Sequence, residues 1–117
     1  EERSSQYGGR VFDSIDDLVA DTEVEAVSIC TPSGAHLEPA LAAAAAGKHL
    51  MVEKPLEVTV ERVDQIIEAC RQGNVQLGAI FPRRFQDASR ILKSAIDDGR
   101  FGTVSLADVY IKWYRSQ

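Results

Sequence analysis

Three short apolar runs limit what this chain can fold into: "EAVSICT" (25–31), "HLMV" (49–52) and "VQLGAIF" (75–81). Each is bounded by turn residues and is too short for a core helix, so each reads as a strand. The stretches between them carry helical spacing. Leu37, Ala40, Leu41 and Ala44 form one apolar face, and Val63, Ile66, Ile67 and Cys70 form the next. Strands alternating with helices build βαβ units and a parallel sheet, with right-handed crossovers. The nearly continuous apolar character of the runs predicts strands buried on both faces.

Capping residues punctuate the same pattern. Val11 and Phe12 suggest a short leading strand. Ser14 is then an N-cap with Asp17 as its partner, before a helix whose face is Ile15, Leu18 and Val19. Gly47 closes the alanine-rich helix, with Lys48 near the negative end of its dipole. Gly73 or Asn74 ends the next helix. "DASRILKSAIDDG" is a further helix, with Ile91, Leu92, Ala95 and Ile96 facing inward and Gly99 as its cap. The closing "TVSLADVYIKWYRSQ" alternates in polarity and predicts a longer, half-exposed strand. The character of the strands changes near Pro82, so two segments are expected, 1–81 and 82–117.

Charge and cysteine usage exclude some function classes. The net charge of -5 over 117 residues argues against nucleic acid as a partner, since phosphate binding needs a basic face. No apolar run approaches the roughly 20 residues of a membrane span. The polar start "EERSSQYGG" lacks the basic and apolar regions of a signal peptide. Cys30 and Cys70 form no CxxC pair and read as free thiols of a reducing, cytoplasmic compartment. No metal site is expected.

The carboxyl ends of parallel strands share one edge, where open α/β sheets bind ligands. Here that edge carries "TPSGAH", "EKP" and "FPRRF". In the first turn Ser33 or Gly34 opens a helix whose free N–H groups suit an anion or a polar ring, with His36 in its first turn. A turn with a partly exposed histidine covering the helix end is the plain alternative. In the second, Lys54 is an ammonium expected near the Glu53 carboxylate, in a turn stiffened by Pro55. It suits a substrate hydroxyl or a cofactor ribose; alternatively it is a surface ion pair worth about 0–1 kcal/mol. Arg83 and Arg84 point in different directions, so either one reaches the edge or both are solvated. Trp113, Tyr114 and Arg115 either line a pocket or simply pack.

The stretch "VEAVSICTPSGAHLEPALAAAAAGKHLMVEKPLEVT", followed by "GAIFPRRFQDASRILKSAIDDGRFGTV", resembles the glucose–fructose oxidoreductase / inositol dehydrogenase / rhizopine-catabolism family (Gfo/Idh/MocA). The resemblance runs from about Tyr7 onward. It implies an α/β fold: the second half of a doubly wound Rossmann sheet (1–81), then the first helix and strand of an α+β substrate and oligomerisation domain (82–117). It also implies hydride transfer between NAD or NADP and a hydroxyl-bearing carbon of a sugar, polyol or related compound. Lys54 would hydrogen-bond the reacting hydroxyl beside the nicotinamide. Thr31, Pro32, Ser33, His36, Glu53 and Pro55 would line the cofactor, with Arg83 and Arg84 at the hinge. Pro82 stands where many relatives carry Asn.

Two parts of the family pattern are missing from these residues. "YGGR" follows no buried strand and is not a GxGxxG turn. No Asp is followed four residues on by His. The chain therefore reads as a middle piece of a longer enzyme, inactive alone, with a free sheet edge that invites homo-oligomerisation. The alternatives are a non-catalytic dimerising or regulatory module and, more remotely, a flavodoxin-like binding domain, for which "TPSGAH" makes a poor phosphate loop.

Overall fold

A computed structural model describes residues 2–114. The chain divides into two compact units, one running through Phe81 and one beginning at Pro82. The elements of the first are α1 (Glu2–Tyr7), α2 (Ile15–Ala20), β1 (Ala26–Ile29), α3 (Leu37–Ala45), β2 (His49–Val52), α4 (Val60–Gln72) and β3 (Leu77–Ala79). The three strands form one parallel sheet in the order β1-β2-β3.

Side-chain size sets the packing of this unit. Val27 and Ile29 of β1 and Leu50 and Val52 of β2 meet Leu37, Ala40, Ala43 and Ala44 of α3 and Ile66 and Cys70 of α4 in one core. The alanines let α3 lie close to both the sheet and α4. At the end of α4, a Cβ on Gly73 would stand 2.4 Å from the Ala44 carbonyl oxygen, so the helices approach as closely as glycine permits. Asn74, at φ 51, takes the left-handed position there.

Local caps end the other elements as expected. Ser14 Oγ accepts the Asp17 N–H at 3.1 Å and donates to the Asp17 carboxylate at 2.6 Å. Past α3, the Lys48 N–H reaches the Ala43 carbonyl and the Gly47 N–H that of Ala44, with Gly47 at φ +72. This is a Schellman closure. The Lys48 ammonium serves another helix: it donates to the Asp21 carbonyl at the C-cap of α2, 2.9 Å away.

Several expectations are corrected. The strands are not buried on both faces: burial alternates along β1 and β2, leaving Ala26, Ser28, His49 and Met51 exposed. Among the described residues, α3 and α4 contribute to one core on one face, and the other face stays open. Val11 and Phe12 form no strand, because among the described residues no ladder partner is available to them and β1 pairs only with β2. Arg10 fixes this segment instead, ion-pairing with Asp21 and Glu23 and lying over Phe12. Glu2–Tyr7 is helical although its polar sequence suggested no element.

The second unit begins with a 3₁₀ turn, Pro82–Phe85, and α5 (Asp87–Asp97), which Gly99 closes at φ +69. No strand forms over residues 103–114, contrary to expectation. Alternating polarity makes a strand only where a neighbour supplies the ladder, and among the described residues no strand pairs with this segment. The expected inward face of α5 is also open, with Ile91, Leu92 and Ile96 exposed. The Arg115 expectation lies outside the described residues.

Candidate functional site at the carboxyl edge of the sheet

Register places Ile29, Val52 and Ala79 side by side at the carboxyl ends of their strands. The ladder runs one step further on each side, with Glu53 N–H to Ile29 O at 3.0 Å and Ile80 N–H to Val52 O at 2.9 Å. The turns after β1 and β2 therefore leave the sheet together.

The first turn delays its helix. Gly34, at φ +88, breaks any helical start at Ser33, and α3 begins only at Leu37. Ala35 N–H bonds Pro32 O at 2.9 Å and Thr31 Oγ1 donates to Ala35 O at 2.8 Å, closing a compact turn. Thr31, Pro32 and Ser33 are exposed on it. His36 precedes the helix without capping it. It is neither partly exposed nor on the surface. At 1% exposure, its Nδ1 lies 3.0 and 3.2 Å from the Pro55 and Leu56 carbonyl oxygens, and its Nε2 2.9 Å from the Thr31 carbonyl oxygen.

The second turn differs from the expected Glu53–Lys54 ion pair. The Glu53 carboxylate accepts the backbone N–H of Lys54 at 3.0 Å, and consecutive residues leaving a strand direct their side chains apart. The Lys54 ammonium is exposed and, among the described residues, makes neither a hydrogen bond nor an ion pair. The Lys54–Pro55 peptide is cis.

One feature of the site escaped the sequence. Glu57 is buried, with neither carboxylate oxygen hydrogen-bonded; Arg62 Nε lies 3.3 Å away in an ion pair not aligned as a hydrogen bond. Arg62 Nη2 donates to the Gly34 carbonyl at 3.1 Å. A charge inside "PLEVTV" was the available signal, but its partner is chosen by the fold.

Arg83 and Arg84 belong to the second unit. Both are exposed, and the Arg83 guanidinium lies 5.0 Å above the Trp113 ring, so this tryptophan packs on an arginine.

Comparison with known proteins decides the family. The Gfo/Idh/MocA model, an oxidoreductase family with an NAD-binding Rossmann fold, matches residues 1–81. The chain belongs to this family. It is 37% identical over 114 residues to 1,5-anhydro-D-fructose reductase of Ensifer adhaerens, covering 93% of this chain and 34% of that protein. It is 43% identical over 103 residues to inositol 2-dehydrogenase of Pseudomonas savastanoi pv. phaseolicola, covering 86% and 30%. Among solved structures, the WlbA dehydrogenase of Bordetella pertussis in complex with NADH and UDP-GlcNAcA superposes with a TM-score of 0.83 at 33% identity, covering 86% of this chain and 29% of that one. The family chain thus spans about a third of the length of these relatives. Among the described residues, no helix is long and apolar enough to cross a membrane.

Proposed function

We propose that the full protein is an NAD(P)-dependent oxidoreductase that moves a hydride between the nicotinamide and a hydroxyl-bearing carbon of a sugar or polyol. The observation that carries this reading is the exposed Lys54 ammonium, unpartnered among the described residues, at the carboxyl edge of a parallel sheet, beside the Thr31–Ala35 turn. The donor set suits a dinucleotide: Ser33 Oγ makes no hydrogen bond among the described residues and is exposed on the turn that Gly34 bends at φ +88. A bound nicotinamide supplies the hydride acceptor or donor. Lys54 donates a hydrogen bond to the reacting oxygen and stabilises negative charge as it develops there. Thr31, Pro32, Ser33, Glu53 and Pro55 form the cofactor wall, with His36 behind it. The proton goes to a base outside these residues.

A homo-oligomeric state is part of this reading, supported by the uncovered apolar side chains of α5. A cytoplasmic location is supported by two free thiols, Cys30 and Cys70. None of the three relatives described above is a non-catalytic module.

The test is turnover of inositols and sugars with NAD and NADP by the full-length protein. Lys54→Ala is expected to lower kcat by about 100- to 1,000-fold, with dinucleotide affinity largely kept. Undiminished turnover in Lys54→Ala sinks the assignment.

A further inference from the structure

His36 and Glu57 are the buried polar side chains among the described residues, and both touch the segment that carries Lys54. A buried imidazole needs partners for both nitrogens. His36 finds them in two different turns: Thr31, just past β1, and Pro55 and Leu56, just past Lys54. All three partners are carbonyl oxygens, which only accept, so the ring nitrogen that carries the proton is the donor to its turn. The ring is a short, rigid strut between the two turns that form the edge of the site.

Ahead of Lys54 the ladder ends at Glu53, whose N–H bonds Ile29 O. Among the described residues, the Lys54 backbone N–H bonds only to the adjacent Glu53 carboxylate. Arg62 links Gly34 to Glu57, three residues past Lys54. We propose that His36 is a positioning residue for Lys54: by donating from Nδ1 to the Pro55 and Leu56 carbonyls it fixes the backbone from which the ammonium reaches the reacting hydroxyl. The effect on turnover rests on the oxidoreductase reading; the anchoring itself does not.

Two substitutions separate the halves of the strut. An asparagine amide falls near the place of Nδ1 and a glutamine amide near that of Nε2. H36N therefore retains the donor to Pro55 and Leu56, and H36Q retains the donor to Thr31. Each substitution removes one ring-nitrogen position, the one shared between Pro55 and Leu56 in H36Q and the one facing Thr31 in H36N, so a purely structural histidine predicts losses of similar size in stability and in turnover. The expectation for the full-length protein is unequal. H36Q loses about 100-fold in kcat, the penalty of a small misplacement of a reacting group, while H36N keeps most of its turnover and KM changes little in either.

Amide hydrogen exchange across residues 53–58 gives a readout independent of activity. It is expected to accelerate in H36Q more than in H36N, with the sheet amides equally protected in both. Matching exchange and matching kcat in the two variants overturn the proposal. Wild-type protein without dinucleotide-dependent turnover overturns the proposed function alone, and the exchange comparison still decides the anchoring.

Discussion

Helices α4 and α5 are nearly matched in sequence terms and unlike in fate. They span Val60–Gln72 and Asp87–Asp97, and each carries one apolar stripe on a charged body. Ile66 of α4 is fully buried and Cys70 nearly so, whereas Ile91 and Leu92 of α5 are 69% and 54% exposed. The stripe is the same signal in both. What differs is that α4 meets α3 and the core side chains of the sheet, while the second unit offers α5 only a 3₁₀ turn and an unpaired segment. Amphipathicity records which face a helix is able to bury; a neighbour decides whether it does.

The most direct way to break this comparison is alanine at both stripes. Ile66→Ala is expected to destabilise by about 2–5 kcal/mol in urea unfolding. Ile91→Ala is expected to stay within about 0.5 kcal/mol, as a surface change does. Equal losses would mean that α5 is covered in solution.

The two helix ends sharpen the contrast. Gly73 has an ordinary φ but no room, with Ala44 O 2.4 Å from the position of its missing Cβ. Gly99 has room but sits at φ +69. Gly73→Ala should therefore cost about 1–3 kcal/mol through forced separation of α3 and α4. Gly99→Ala should cost about 1 kcal/mol through backbone strain alone. Thermal unfolding of the two variants, with a crystal structure of the first, distinguishes steric from conformational cost.

The smallest expected effect concerns surface charge. Hydrogen bonds from Arg71, then from Gln72, hold the Glu68 carboxyl down to about 2. A depressed carboxyl contributes stability that is fully present above its unfolded value, about 4.3, and is lost as pH falls through the folded value. Glu68→Gln should therefore be slightly less stable than wild type near neutrality, with the difference shrinking between about pH 4.3 and about 2. The group is solvent-exposed, so the difference is small. Melting temperatures measured across that range check the sign.

Much of the fold was legible because its signals are local. Ser14 and Asp17 are three residues apart, and Gly47 and Gly99 act on the turn just before them. The strand positions followed from run length and the parallel arrangement from alternation. The candidate site was legible only as a place, the edge where the turns after β1 and β2 emerge. Its internal wiring was not, because His36 reaches carbonyls 19 and 20 residues away and Lys48 one 27 residues away. No spacing rule encodes such pairs. The Glu53–Lys54 expectation failed for the opposite reason. Neighbours in sequence diverge at a strand end, and a backbone N–H lay nearer to the carboxylate than the ammonium did.

The alanine run of α3 has a consequence for how this protein tolerates change. Ala40, Ala43 and Ala44 have no accessible surface at all, and the carbonyl of the last defines how near α4 comes. The plainest stretch of the sequence is thus the least forgiving. In a saturation library, the permitted alphabet at those positions should shrink to the smallest side chains, while the chemically richer surface of α5 accepts almost anything.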